Sequence, residues 1–301
     1  MFGIGIAAGS VILLVALVFV IVGSFRGGTV SYGASGASGA GSASSTGATQ
    51  APSPSSSSSG VSARSAPAEP QPRGSSTTAP SSGFVPLSGW KLTLPVSSTG
   101  ELGGKAQELA AAAVIAPWLT RAADGSLVFW APSTGATTPN SGHSRTELIA
   151  DSGFGFGSGE HTLAATLTVT QAPAKDPDII VGQLHGNGAN SAVPFVMVHW
   201  RDQSIVAVIK DSLTGSDSQT ISLLSGVPLN SRFSYAITDD GNGSVTVTAA
   251  CGSRSDRTTV RAAGVFQGSD VRFQAGDYQQ ATAGTSSADG GRVTFSSITA
   301  S

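Results

Sequence analysis

The chain of 301 residues carries 16 Lys plus Arg against 18 Asp plus Glu, for a formal net charge of −2 and a pI near 6.0, so it offers no basic field to nucleic acid. Its single cysteine, Cys251, excludes an internal disulfide and a cysteine-built metal site, and reads as a small buried apolar residue. Only 11% of the residues are charged and 39 are glycine, a composition solvated by hydroxyls and amides that suits a secreted protein.

Residues 2–22 are almost entirely apolar and uncharged, which is long enough to span a bilayer. No Lys or Arg precedes them, and small residues over 34–40 offer signal-peptide cleavage as the alternative. An uncleaved anchor over 1–23 is the preferred reading. Arg26 argues for a cytoplasmic side after the span, whereas the segment that follows argues for the outside. Residues 24–83 repeat Gly, Ala and Ser, then turn to a Pro/Ser/Thr mixture. Such a stretch holds too few apolar side chains to offset the entropy of ordering it. It reads as a flexible tether between a membrane and an external domain, so the expected location is extracellular, either membrane-anchored or secreted.

The pattern changes at residue 84. Of the charged residues, 13 Lys plus Arg and 17 Asp plus Glu fall from here to the end. Strand-like alternation marks 90–95, 127–130, 161–170, 178–185, 193–200, 204–210, 233–238, 244–250, 271–280 and 292–298. Turn residues separate these runs, as in DDGNG over 239–243. The only helical candidate is the alanine-rich 107–115. Many short strands with turn punctuation predict one all-β domain over 84–301, a sandwich or jelly roll of two antiparallel sheets. Trp90, Trp118 and Trp130 are expected in its core.

Three segments carry side chains fit for chemistry. In SRTEL (144–148), alternation sets Arg145, Glu147 and Ile149 on one face and Thr146 and Leu148 on the other. The arginine and glutamate can brace each other; a solvated outer face or a structural ion pair is the plainer explanation. In GQLHG (182–186), Gln183 and His185 share a face. Amide and imidazole together can bind a carboxylate or handle a proton, and the flanking glycines permit close approach; a histidine without a task is the alternative. In VRFQAGDYQQ (271–280), Arg272, Gln274, Gly276, Tyr278 and Gln280 form a polar face opposite Val271, Phe273 and Ala275. That face suits a carbohydrate groove, although an ordinary outer sheet face alternates equally well. His143 lies two residues before Arg145 and so on its face; His161 and His199 read as structural or solvated.

Taken together, and with the opening WKLTLP (90–95), these segments resemble the alginate lyases of polysaccharide lyase family 7. The family's three motifs stand here in order as RTELI (145–149), QLH (183–185) and RFQAGDYQQ (272–280). The resemblance implies a β-jelly roll whose concave sheet binds an anionic polysaccharide, and chemistry that needs no metal or other cofactor; a monomer is expected. It assigns Arg145, Gln183 and His185 to neutralising the uronate carboxylate at the cleavage position. His185 or Tyr278 would remove the C5 proton, and Tyr278 would protonate the departing oxygen. Glu147, His143, Arg272, Gln274 and Gln280 would line the substrate groove. The departures from the family pattern include Ile149 for a usual arginine, Gln274 for lysine and Arg272 for tyrosine. Leu184 stands where the family has Ile or Val, which leaves the mannuronate or guluronate preference open. The expected function is a polyuronate lyase, with alginate ahead of polyglucuronate.

A non-catalytic glycan-binding module on the same scaffold is the main rival. A glycoside hydrolase needs two suitably spaced carboxylic acids, whereas the four glutamates from residue 84 on, Glu101, Glu108, Glu147 and Glu160, do not cluster on one strand. A surface or adhesion protein is the third possibility that the anchor and tether permit.

Overall fold

The computed structural model describes residues 84–214 and 218–301; the expected anchor over 1–23 and tether over 24–83 lie outside the described residues. Sixteen strands are described: β1 (Trp90–Thr93), β2 (Glu108–Leu109), β3 (Leu119–Arg121), β4 (Leu127–Pro132), β5 (Arg145–Ala150), β6 (Phe154–Gly155), β7 (Glu160–Gln171), β8 (Asp178–Gly186), β9 (Pro194–Arg201), β10 (Ser204–Lys210), β11 (Ser218–Leu224), β12 (Arg232–Asp240), β13 (Ser244–Cys251), β14 (Arg254–Arg261), β15 (Asp270–Gln279) and β16 (Gly290–Ala300). They form a nine-stranded sheet in the order β11-β10-β9-β8-β15-β5-β1-β2, with β6 added beside β15, and a seven-stranded sheet in the order β14-β13-β12-β7-β16-β4-β3. Every strand pairing is antiparallel. None of the described helices is long and apolar enough to cross a membrane.

The seven-stranded sheet follows the period-two rule closely. Phe233, Tyr235 and Ile237 of β12 and Leu163, Leu167 and Val169 of β7 are buried, while the threonines and serines between them face outward. Their inward faces meet those of the other sheet, where Ile179, Leu184, Val198 and Phe273 are buried. Each such side chain removed from water contributes roughly 1.5–3 kcal/mol. The edge ring of Phe295 meets Phe129 at a centroid distance of 5.2 Å. Trp90 belongs to this core and Trp118 packs against it. Trp130 is buried elsewhere, under the Arg292 guanidinium 4.7 Å from its ring centre.

The nine-stranded sheet differs, because β5 is buried on both of its faces and β8 and β15 nearly so. Its outward face is therefore a covered floor, and the polar side chains on it need partners. The expected helix over 107–115 is absent. Glu108 and Leu109 instead pair with β1, Leu109 opposite Leu92, and the Ala112 N–H donates to the Trp90 carbonyl. A nine-residue helix with exposed alanines on several sides has no apolar face to dock, and isolated helices of that length are marginal; main-chain bonding to a sheet edge prevails.

Candidate active site

Three neighbouring strands, β8, β15 and β5, set the site by their register. Tyr278 stands opposite Arg145, Gln274 opposite Ile149 on one side and Gln183 on the other, and Arg272 opposite His185. The three polar segments of the sequence thus become one patch, on the floor of a groove of about 830 Å³ that runs across the strands from Glu108 of β2 to Met197 of β9. Arg145, Gln183, His185, Arg272, Gln274, Tyr278 and Gln280 all line it.

Glu147 organises the floor from below and is 1% exposed. Gly276 opposite it has no side chain, and a Cβ there would strike the Thr146 carbonyl and Glu147 itself. The Arg145 Nη1 donates to Glu147 Oε2 at 3.1 Å, and the Gln183 Nε2 donates to Glu147 Oε1 at 2.5 Å. Burial pushes the Glu147 carboxyl up from its ordinary value, against the pull of Arg145 and Gln183.

These bonds fix two amides. A carboxylate only accepts, so Gln183 turns its NH2 toward Glu147; the second N–H of that group donates to Gln274 Oε1 at 3.1 Å. Gln274 must then direct its own NH2 away, toward the groove it lines. Both N–H groups of Gln183 are engaged by protein, and its carbonyl oxygen is turned toward the groove it lines.

His185 is fixed in a similar way. Its Nδ1 lies 2.9 Å from the Gly186 carbonyl, so this nitrogen carries the hydrogen and donates, leaving Nε2 with a lone pair. Burial lowers the imidazole pKa to about 4, with the Arg145 and Arg272 charges adding to the effect and the Gly186 bond opposing it. The Tyr278 hydroxyl is 2.7 Å from Ser141 Oγ, and the Arg145 guanidinium covers its ring 3.4 Å from the centroid. The groove therefore holds an unprotonated imidazole nitrogen, a phenol and two guanidinium groups.

His143 is not a lining residue; its ring stands edge-on to that of Tyr278 at 6.3 Å. Gln280 donates from Nε2 to the Tyr278 carbonyl at 3.0 Å. His161 stacks on Phe154 at 3.8 Å. His199 is buried and structural, with Nδ1 2.7 Å from Asp178 Oδ1, while Arg201 Nε holds Asp178 Oδ2 at 2.6 Å. Sequence reasoning missed Ser141, Lys105, Ile180 and Met197, which also line the groove. Ser141 and Lys105 come from loops without a periodic pattern; Ile180 and Met197 sit on predicted strands and were readable by face. Among the described residues no group of three or more His, Cys, Asp or Glu is placed to hold a metal ion.

A two-sheet β-sandwich with an arginine, a histidine and a tyrosine gathered in one groove is an arrangement that suits a polysaccharide lyase. The model of the alginate lyase family matches residues 85–301, and the chain belongs to that family. Solved relatives agree in fold. An alginate lyase from Pseudomonas aeruginosa is 25% identical, with 72% of this chain and 99% of that one covered and a TM-score of 0.62. Alginate lyase A1-II′, a member of polysaccharide lyase family 7, is 26% identical over 71% of this chain and 95% of its own, with a TM-score of 0.60. A tyrosine-to-phenylalanine variant of A1-II′ in complex with product is 25% identical over 73% and 98%, with a TM-score of 0.62. No curated protein matches the chain.

Proposed function

We propose that the chain cleaves a uronic-acid polymer, alginate first among candidates, by β-elimination without a metal. The observation that carries this reading is the placement of the lone pair of His185 Nε2 and the Tyr278 hydroxyl in one groove with Arg145 and Arg272. The guanidinium groups face the uronate carboxylate and stabilise the charge that moves onto it as C5 loses its proton. His185 Nε2 takes that proton where it lies on the imidazole side; where it lies on the other side, Tyr278 takes it as the phenolate, its own proton having gone to solvent, and holds it for the departing oxygen. The electron pair of the C5–H bond forms the C4–C5 double bond, and the C4–O bond breaks. Tyr278 delivers a proton to the departing oxygen. Gln183 accepts from a sugar hydroxyl and holds Gln274 in place.

The domain acts as a monomer outside the cell, held by its N-terminal segment or released. Tyr278→Phe tests the reading against a glycan-binding module. A lyase loses turnover and keeps its affinity for the polymer; turnover that survives the change contradicts the assignment of Tyr278.

A further inference from the structure

We infer that the groove contains an uncharged subsite, floored by Gln274 and Ile149, so that among uronate polymers the chain prefers one with an esterified or neutral unit beside the uronate that is cleaved over unmodified alginate. The inference rests on the lyase reading and names its substrate class.

Gln274 and Ile149 are direct cross-strand partners, so the positions where a lysine and an arginine are usual in the resembling family form a single spot. They are 2% and 4% exposed, and both line the groove. The Glu147–Gln183–Gln274 chain of hydrogen bonds turns the Gln274 NH2 toward the ligand. That group donates but carries no charge, and the sec-butyl side chain of Ile149 beside it neither donates nor accepts. A carboxylate placed there loses water and gains no cation from either of these two side chains. A hydroxyl or ester carbonyl is matched by the amide, and an apolar sugar face or ester alkyl group by the isoleucine.

The rest of the groove does not compensate. Its lining cations are Lys105, Arg145 and Arg272, of which Arg145 is paired with Glu147. Lys91 of β1 is the direct cross-strand partner of Ile149 on the same face and is the nearest cation to it on that side, although it stands outside the lining. On the β8–β9 side the lining is uncharged, with Ile180, Met197 and Pro194. Farther along, Asp178, His199 and Arg201 satisfy one another. The two guanidinium groups of the lining stand at the cleavage position, and Lys105 is the one other lysine or arginine in the lining.

The test compares the purified chain on three forms of one polyuronate: the homopolymer, a form with half of its carboxylates reduced to hydroxymethyl groups, and a form with half converted to methyl esters. Unsaturated product is followed by ultraviolet absorbance. We expect kcat/KM per remaining uronate to be about tenfold higher on at least one modified form, the scale of one charge-assisted contact; reduced and esterified arms distinguish a neutral sugar from an ester. Ile149→Arg and Gln274→Lys should each shift that ratio toward the homopolymer. A homopolymer preferred over both modified forms overturns the uncharged subsite while leaving the lyase intact, and so does a ratio that neither substitution moves. No product from any of the three defeats the lyase reading, and the subsite with it.

Discussion

The Tyr278 hydroxyl lies 2.7 Å from the Ser141 Oγ, and the Ser141 Oγ also accepts from the His143 N–H at 3.1 Å. A loop serine thus holds the phenol that is proposed to move protons, while the Arg145 guanidinium fixes the plane of its ring. Loss of one neutral hydrogen bond costs about 1 kcal/mol, so Ser141→Ala should lower kcat about fivefold with little change in KM. Steady-state kinetics on the preferred polymer decide it: an unchanged kcat removes Ser141 from the account.

The acid side of the pH profile follows from His185. Its pKa of about 4 lies below the ordinary 6.5, so the free enzyme keeps its base form well below pH 6. The acid limb of kcat/KM should fall near pH 4. An inflection near 6.5 means that the imidazole is not desolvated in the way described. Linkage gives the matching sign for stability. Between the two values the unfolded chain binds more protons than the folded one, so stability rises with pH through that window and is lost as pH falls through it.

Behind the site, Tyr235 reaches from β12 across the core and donates to the Val181 carbonyl at 2.9 Å, at the irregularity in β8 between Ile180 and Gly182. A Cβ on Gly182 would collide with the tyrosine hydroxyl and ring. Gly182→Ala should therefore destabilise by roughly 1–3 kcal/mol, and Tyr235→Phe by about 1–2 kcal/mol through the orphaned carbonyl. The double variant should be less destabilised than the sum of the two, because the hydroxyl is part of the clash. Denaturant unfolding of the four proteins gives the cycle, and simple additivity contradicts the contact.

Glu147→Gln tests the floor. The substitution keeps the shape but removes the charge that pairs Arg145 and sets the direction of the Gln183 amide. A drop in kcat/KM of about 10- to 100-fold is expected, since bonds to charged groups are worth ~1.5–3 kcal/mol, with an unchanged far-ultraviolet spectrum as the control for folding. Full activity contradicts the role given to Glu147.

What could be read from the sequence was whatever the period of two reports. In β12 and β7, apolar and hydroxyl residues alternate, and both strands fell where the pattern put them. The edge strands β11 and β14 were not legible. β14 reads RSDRTTVR and is largely exposed, because an edge strand is held by main-chain bonds on one side and needs no apolar face, and charges there discourage further pairing. Arg145, Gln183, His185 and Tyr278 were visible as polar faces, and the groove contains all four. Their partners were not. Gln183 and Gln274 are 91 residues apart, and only the pairing of β8 with β15 brings their amides to 3.1 Å.

The central claim is the elimination itself, and the most direct measurement is the ultraviolet absorbance of unsaturated product. The purified chain is incubated separately with polymannuronate, polyguluronate and polyglucuronate, with a chelator present throughout. The account predicts a steady rise on at least one polymer, abolished by Tyr278→Phe. Retained binding to one of them without any rise would contradict it and leave a glycan-binding module.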